Sequence, residues 1–156
     1  MSERAEMARK YFVEGYNCCQ AVVLAFAPEL GLERETALKI SSSFGGGMGR
    51  LREVCGAVSA MFMIEGALDG YTDAKATTEK AEHYKRIQEL ATQFKARNNS
   101  IVCRELLGKK KEELESYVPS ERNEEYYKMR PCEKMVFDAA EILEELIAER
   151  KINKPN

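Results

Sequence analysis

A chain of 156 residues with 24 Lys+Arg against 26 Asp+Glu and a formal charge of −2 is sized for one domain with its own core. It offers no electrostatic attraction to a polyanion, which excludes nucleic acid as the expected partner. The N-terminal Met-Ser-Glu-Arg-Ala-Glu lacks the basic start and apolar stretch of a secretory leader, and the most apolar run, Val54 to Ile64, is far short of the roughly 20 residues of a membrane span.

In chain order, a first helix starts at Ser2 and buries Met7, Ala8, Tyr11 and Phe12. Asn17 followed by Gln20 forms a capping-box pattern for a helix over Asn17–Ala27, stopped at Gly31. Further helices are expected over Glu33–Ser43 and Glu53–Leu68, the latter stopped at Gly70. Because Val54–Ile64 is apolar nearly all round, this helix is placed at the centre of the bundle. Glu65 at its far end is then either partly buried or functional, or an acid at a helix end reaching water. A long helix over Asp73–Arg97 sets Tyr84, Ile87, Ala91 and Phe94 on one side, and Ser100 caps a short helix ending near Gly108. The charged stretch Gly108–Arg130, with Lys109-Lys110-Lys111 followed by Glu112, Glu113 and Glu115, reads as a solvated helix face and a loop broken at Pro119. In the last helix Met135, Val136, Ala139, Ile142, Leu143, Leu146 and Ile147 form one apolar stripe. Nothing alternates at period two. The expectation is an all-α, single-domain bundle of six to seven helices over residues 1–150, with a frayed tail over 151–156.

Five cysteines in a chain read as cytoplasmic point to catalytic, redox-sensing or metal-binding thiols, or to buried small hydrophobes, more than to a disulfide framework. Cys18, Cys55, Cys103 and Cys132 each fall in the first turn of a different expected helix. Unsatisfied N–H groups and the helix dipole there favour a thiolate. Spacing alone does not indicate a metal, since the paired C-x-x-C knuckles of zinc sites and the ferredoxin run are both missing. Cys19 points about 100° away from Cys18 on a helix, which makes it a packed residue or a spare thiol.

Phe44-Gly45-Gly46-Gly47-Met48-Gly49-Arg50 lacks the Gly-Lys-Ser/Thr ending of a P-loop and follows a helix where a dinucleotide fingerprint would follow a strand. It reads either as a tight connection with positive φ or as backbone that approaches a sulfur site and aims N–H groups at it. His83, the single histidine, is expected on a helix surface or in the core. Tyr126, Tyr127 and Met129 are expected to be packing residues.

Gly15-Tyr16-Asn17-Cys18-Cys19-Gln20-Ala21-Val22, the glycine segment, Val54-Cys55-Gly56-Ala57-Val58-Ser59-Ala60 and the later Cys103 and Cys132 together resemble a bacterial and archaeal redox family. That family is named for its C, GCAxxG, C, C cysteine pattern, and the resemblance spans about residues 5–145. By matching position it implies that Cys18, Cys55, Cys103 and Cys132 are the four characteristic cysteines of a helical redox domain with a prosthetic group such as an iron–sulfur cluster. Gly45, Gly46, Gly47, Gly49 and Gly56 would line that group. Ala60 departs from the pattern, standing where its final glycine is expected. The functional expectation is an electron carrier, redox sensor or oxidoreductase with a metal centre. The alternatives are metal-free thiol–disulfide chemistry, a structural zinc module, or an accessory protein docking on an oxidoreductase or transporter. A redox partner protein and a homodimer are both compatible with the sequence.

Overall fold

The computed structural model describes residues 2–108 and 116–153. Among these residues there are eight helices and no strand. They are α1 (Glu3–Val13), α2 (Cys18–Leu30), α3 (Arg34–Ser42), α4 (Gly56–Asp69), α5 (Thr77–Asn98), α6 (Cys103–Leu107), α7 (Glu124–Met129) and α8 (Cys132–Asn153). A four-residue glycine turn, Gly45–Met48, joins α3 to the segment before α4.

Local chemistry sets the helix ends. The Ser2 hydroxyl accepts from the Ala5 amide, and Glu3 and Glu6 occupy the first turn of α1, where the dipole favours acids. Asn17 and Gln20 form the reciprocal capping box of α2, and Gly31 closes that helix in the left-handed region. Four boundaries differ from expectation: α2 runs past Ala27 to Leu30, and α4 begins at Gly56, not at Glu53, which makes Cys55 its N-cap. The α5 helix begins at Thr77, not near Asp73, and α8 continues through residues 151–153, leaving only 154–156 of the expected frayed tail, which lie outside the described residues.

Helix α2 is the hub. It packs against α1, α3, α4 and α8, and its run Ala21–Ala27 is buried throughout. The expected central helix, α4, shares this position, packing on α2, α5 and α8; Ala60, where the resemblance leads one to expect a glycine, is fully buried within it. The stripe Met135, Val136, Ala139, Ile142 and Leu143 of α8 is buried, with Leu146 and Ile147 at its edge. On α5 the inward residues are Leu90 and Phe94, while Tyr84 is exposed.

At the far end of α4, Glu65 is 0% exposed, which overturns the reading of an acid reaching water. Arg86 of α5 donates through Nε at 2.9 Å, and Arg150 of α8 donates to both carboxylate oxygens at 2.7 Å. Arg150 also reaches Asp69 at 2.6 Å. One carboxylate thus ties three helices together at the end opposite the cysteines.

Candidate functional site

The chain between the glycine turn and α4 is unusual. Gly46, Gly47, Met48, Gly49, Arg50 and Arg52 all have φ between 62° and 69°, a region that costs a side-chain-bearing residue roughly 1–2 kcal/mol. Cross-links hold it there. The Arg52 and Glu53 amides donate to the Gly46 and Gly47 carbonyls at 3.3 and 3.0 Å. Val54 and Val102 then form an isolated antiparallel bridge, in which the Cys55 amide donates to the Ile101 carbonyl at 2.8 Å and the Cys103 amide to the Glu53 carbonyl at 2.6 Å. This bridge brings two cysteines 48 positions apart in sequence onto neighbouring chain segments.

Cys18, Cys55, Cys103 and Cys132 all line one cavity of about 300 Å³. Each sits at a helix start: Cys18, Cys103 and Cys132 are the first residues of α2, α6 and α8, and Cys55 is the N-cap of α4. Cys19, by contrast, is fully buried in the core, its sulfur 3.7 Å from the Met63 sulfur. All five cysteines are free thiols. Gly45, Gly46, Gly49 and Gly56 line the cavity. Gly47 does not, but a Cβ there would stand 2.6 Å from the Cys103 Cβ and 2.9 Å from the Arg52 Cα, so its missing side chain lets the turn close beneath Cys103. A Cβ on Gly56 would collide with the Cys18 sulfur and stand 2.8 Å from the Phe44 carbonyl oxygen.

Backbone amides reach two of the sulfurs. Those of Gly46, Gly56 and Cys19 donate toward Cys18, and those of Val58 and Ala57 toward Cys55. These contacts favour a thiolate, as the helix-start positions suggest, but burial outweighs them. Desolvation raises the Cys18 thiol above its ordinary value, raises Cys55 well above it, and pushes Cys132 up to about 12. The expectation that helix starts alone lower these pKa values is therefore corrected: where burial outweighs the backbone donors, the neutral thiol is the favoured form.

The rest of the wall was not anticipated from sequence. Arg50, Arg52, Arg122 and Arg130 line the cavity with Ser120, Tyr117 and Tyr126, and no Asp or Glu does so among the described residues. Arg50 donates to the Ser116 carbonyl at 2.6 Å and, with Arg130, reaches the Ser120 hydroxyl at 3.4 and 3.1 Å. Burial, together with the charges of Arg52 and Arg130, lowers the Arg50 pKa. Arg122 lies over the Phe12 and Tyr126 rings at 4.4 and 4.9 Å and donates to the Phe12 and Tyr16 carbonyls. The stretch 116–130 is thus wall as well as surface, and Tyr126 belongs to the site; residues 109–115, the expected solvated helix face, lie outside the described residues. His83 is remote, packed beside Tyr71 and Tyr84.

Among the described residues no group of three or more Cys, His, Asp or Glu side chains is gathered to hold a single metal ion. The thiols line a volume rather than converge on a point. No described helix is long and apolar enough to cross a membrane.

A family model described as "Putative redox-active protein (C_GCAxxG_C_C)" matches residues 16–146. No curated protein matches the chain, and no solved structure does.

Proposed function

The chain belongs to this C_GCAxxG_C_C redox family, and from that premise we propose that Cys18, Cys55, Cys103 and Cys132 hold an iron–sulfur cluster used for electron transfer or redox sensing. The observation that carries the reading is that these four thiols, from four separate helix starts, line one cavity. A polynuclear centre suits thiolates spaced around a volume, whereas a structural zinc ion needs four ligands drawn tightly about one point. The donor set is all sulfur, as iron–sulfur ligation prefers.

A bound cluster would supply one-electron chemistry at this position. The chain's own residues supply the setting. Gly46 and Gly56 bring backbone N–H groups to the Cys18 sulfur, and Ala57 and Val58 bring theirs to Cys55; such hydrogen bonds make reduction easier. Arg52 donates toward the Cys103 sulfur at 3.7 Å, adding a positive charge beside an electron-rich site. The raised thiol pKa values disfavour free thiolates at neutral pH, so thiol–disulfide exchange by the protein alone is the weaker reading.

The test is iron, zinc and acid-labile sulfide analysis with a visible spectrum, on protein purified without oxygen. Iron with matching sulfide, lost in Cys→Ser variants at the four positions, is the expected result. Stoichiometric zinc, or a colourless protein that reversibly loses free thiols under mild oxidation, overturns it.

A further inference from the structure

Arg52 has a role beyond facing Cys103. Its side chain is buried, only 4% exposed, and its Nη1 is turned to the Cys103 sulfur at 3.7 Å. Its Nε and Nη2 are buried with no hydrogen-bond partner among the described residues. These two nitrogens form the side-on edge of the guanidinium, where two N–H bonds run parallel and match the spacing of two oxygens on one anion. A buried charge whose donors are left unmade is costly, so a structure that fixes one invites a ligand. The fixing is firm: the Arg52 carbonyl accepts from the amide and guanidinium of Arg104, both at 3.3 Å, and the Arg52 amide is tied to Gly46.

The surroundings agree. Arg50 and Arg130 line the same cavity, no described carboxylate offsets them, and about 300 Å³ is at the small end for a ligand pocket. We propose that the cavity binds a small oxyanion, held side-on by Arg52 Nε and Nη2, beside the Cys103 thiol and facing Arg50 and Arg130. A carboxylate or a tetrahedral oxyanion matches this edge with one oxygen for each N–H. The proposal goes beyond the cluster reading and needs only Arg52 and the cavity wall.

The test uses the full chain, purified without oxygen and with its iron content measured, titrated calorimetrically with phosphate, sulfate and acetate against chloride at constant ionic strength. At least one oxyanion binds saturably at one site, chloride does not displace it, and Arg52→Lys, which keeps the charge but loses the fork, weakens it about tenfold or more. In the wild-type protein the arginine side-chain N–H spectrum provides a second reading that needs no variant: one buried Nε–H signal moves with the same affinity. Absence of saturable binding by all three anions, or equal affinity in Arg52→Lys, overturns the proposal. Iron and sulfide in the same sample judge the cluster separately, since loaded protein that binds no oxyanion refutes the anion site alone, and metal-free protein that binds one refutes the cluster alone.

Discussion

Replacing Gly56 by alanine isolates the demand that the thiol site makes on the backbone. Gly56 is the first residue of α4 and its φ is not positive, so alanine meets no conformational objection. The cost is packing. The new Cβ would run into the Cys18 sulfur and stand 2.8 Å from the Phe44 carbonyl oxygen and 3.2 Å from the Cys19 amide. Two of these three neighbours are backbone and cannot rotate away. Overpacking of this kind costs about 1–3 kcal/mol, whereas the helix-propensity gain of alanine over glycine is at most about 1 kcal/mol. A net loss of about 1–2 kcal/mol lowers Tm by about 5 °C in a chain of this size. Gly66, on the same helix, is the internal control: a Cβ there meets nothing within 4 Å among the described residues, so Gly66→Ala gains the propensity term and raises Tm by about 3 °C. Scanning calorimetry of both variants is the assay, with iron content as a second reading, since the Cys18 sulfur must move in Gly56→Ala. A Gly56→Ala protein as stable as wild type would refute the packing argument.

On the cluster reading, Cys19→Ser retains the iron that serine at each of the other four positions removes, because the Cys19 sulfur faces Met63 in the core; iron analysis of all five variants checks this. The metal-free, reduced protein has a pH dependence of definite sign. The Cys132 thiol lies near 12 in the fold against its ordinary 9.0, with Cys18 and Cys55 also raised, so their contribution to stability is full below pH 9 and is lost as pH climbs toward 12. A denaturant midpoint unchanged between pH 8 and pH 10.5 would contradict it. Glu65→Ala lowers stability by about 3 kcal/mol, the lower end for a broken buried ion pair, because Arg86 and Arg150 are each about a quarter exposed and can turn to water. Urea unfolding measures it, and a loss under 1 kcal/mol would show the three-helix clasp to be dispensable.

What could be read from the sequence was what periodicity and caps encode. The stripe from Met135 to Ile147 and the caps at Ser2, Asn17 and Gly31 are local patterns, and the structure follows them. The sequence places only the Val54–Ile64 helix at the centre; the hub role of α2 lies in Ala21–Ala27, which is buried throughout. The arginine wall was not legible. In Arg50-Leu51-Arg52-Glu53 ordinary hydropathy puts Leu51 inside and Arg52 outside, yet Leu51 is 69% exposed and Arg52 4%. The reversal comes from successive positive φ angles and a bridge to residue 102, which no local pattern announces. The thiol electrostatics were not legible for a related reason: helix-start stabilisation depends on position in sequence, whereas desolvation depends on what closes over the site.

The bridge between Val54 and Val102 also sets an order of events. It joins segments that meet only when α5 has folded back, and Cys132 opens the final helix, which rests on α1. No stretch of chain shorter than that from Cys18 to Cys132 carries the four thiols. On the ribosome the set stays incomplete until most of this polypeptide has emerged, so a centre that needs all four thiols would be loaded last, and its loading would report that the chain has been made as far as α8.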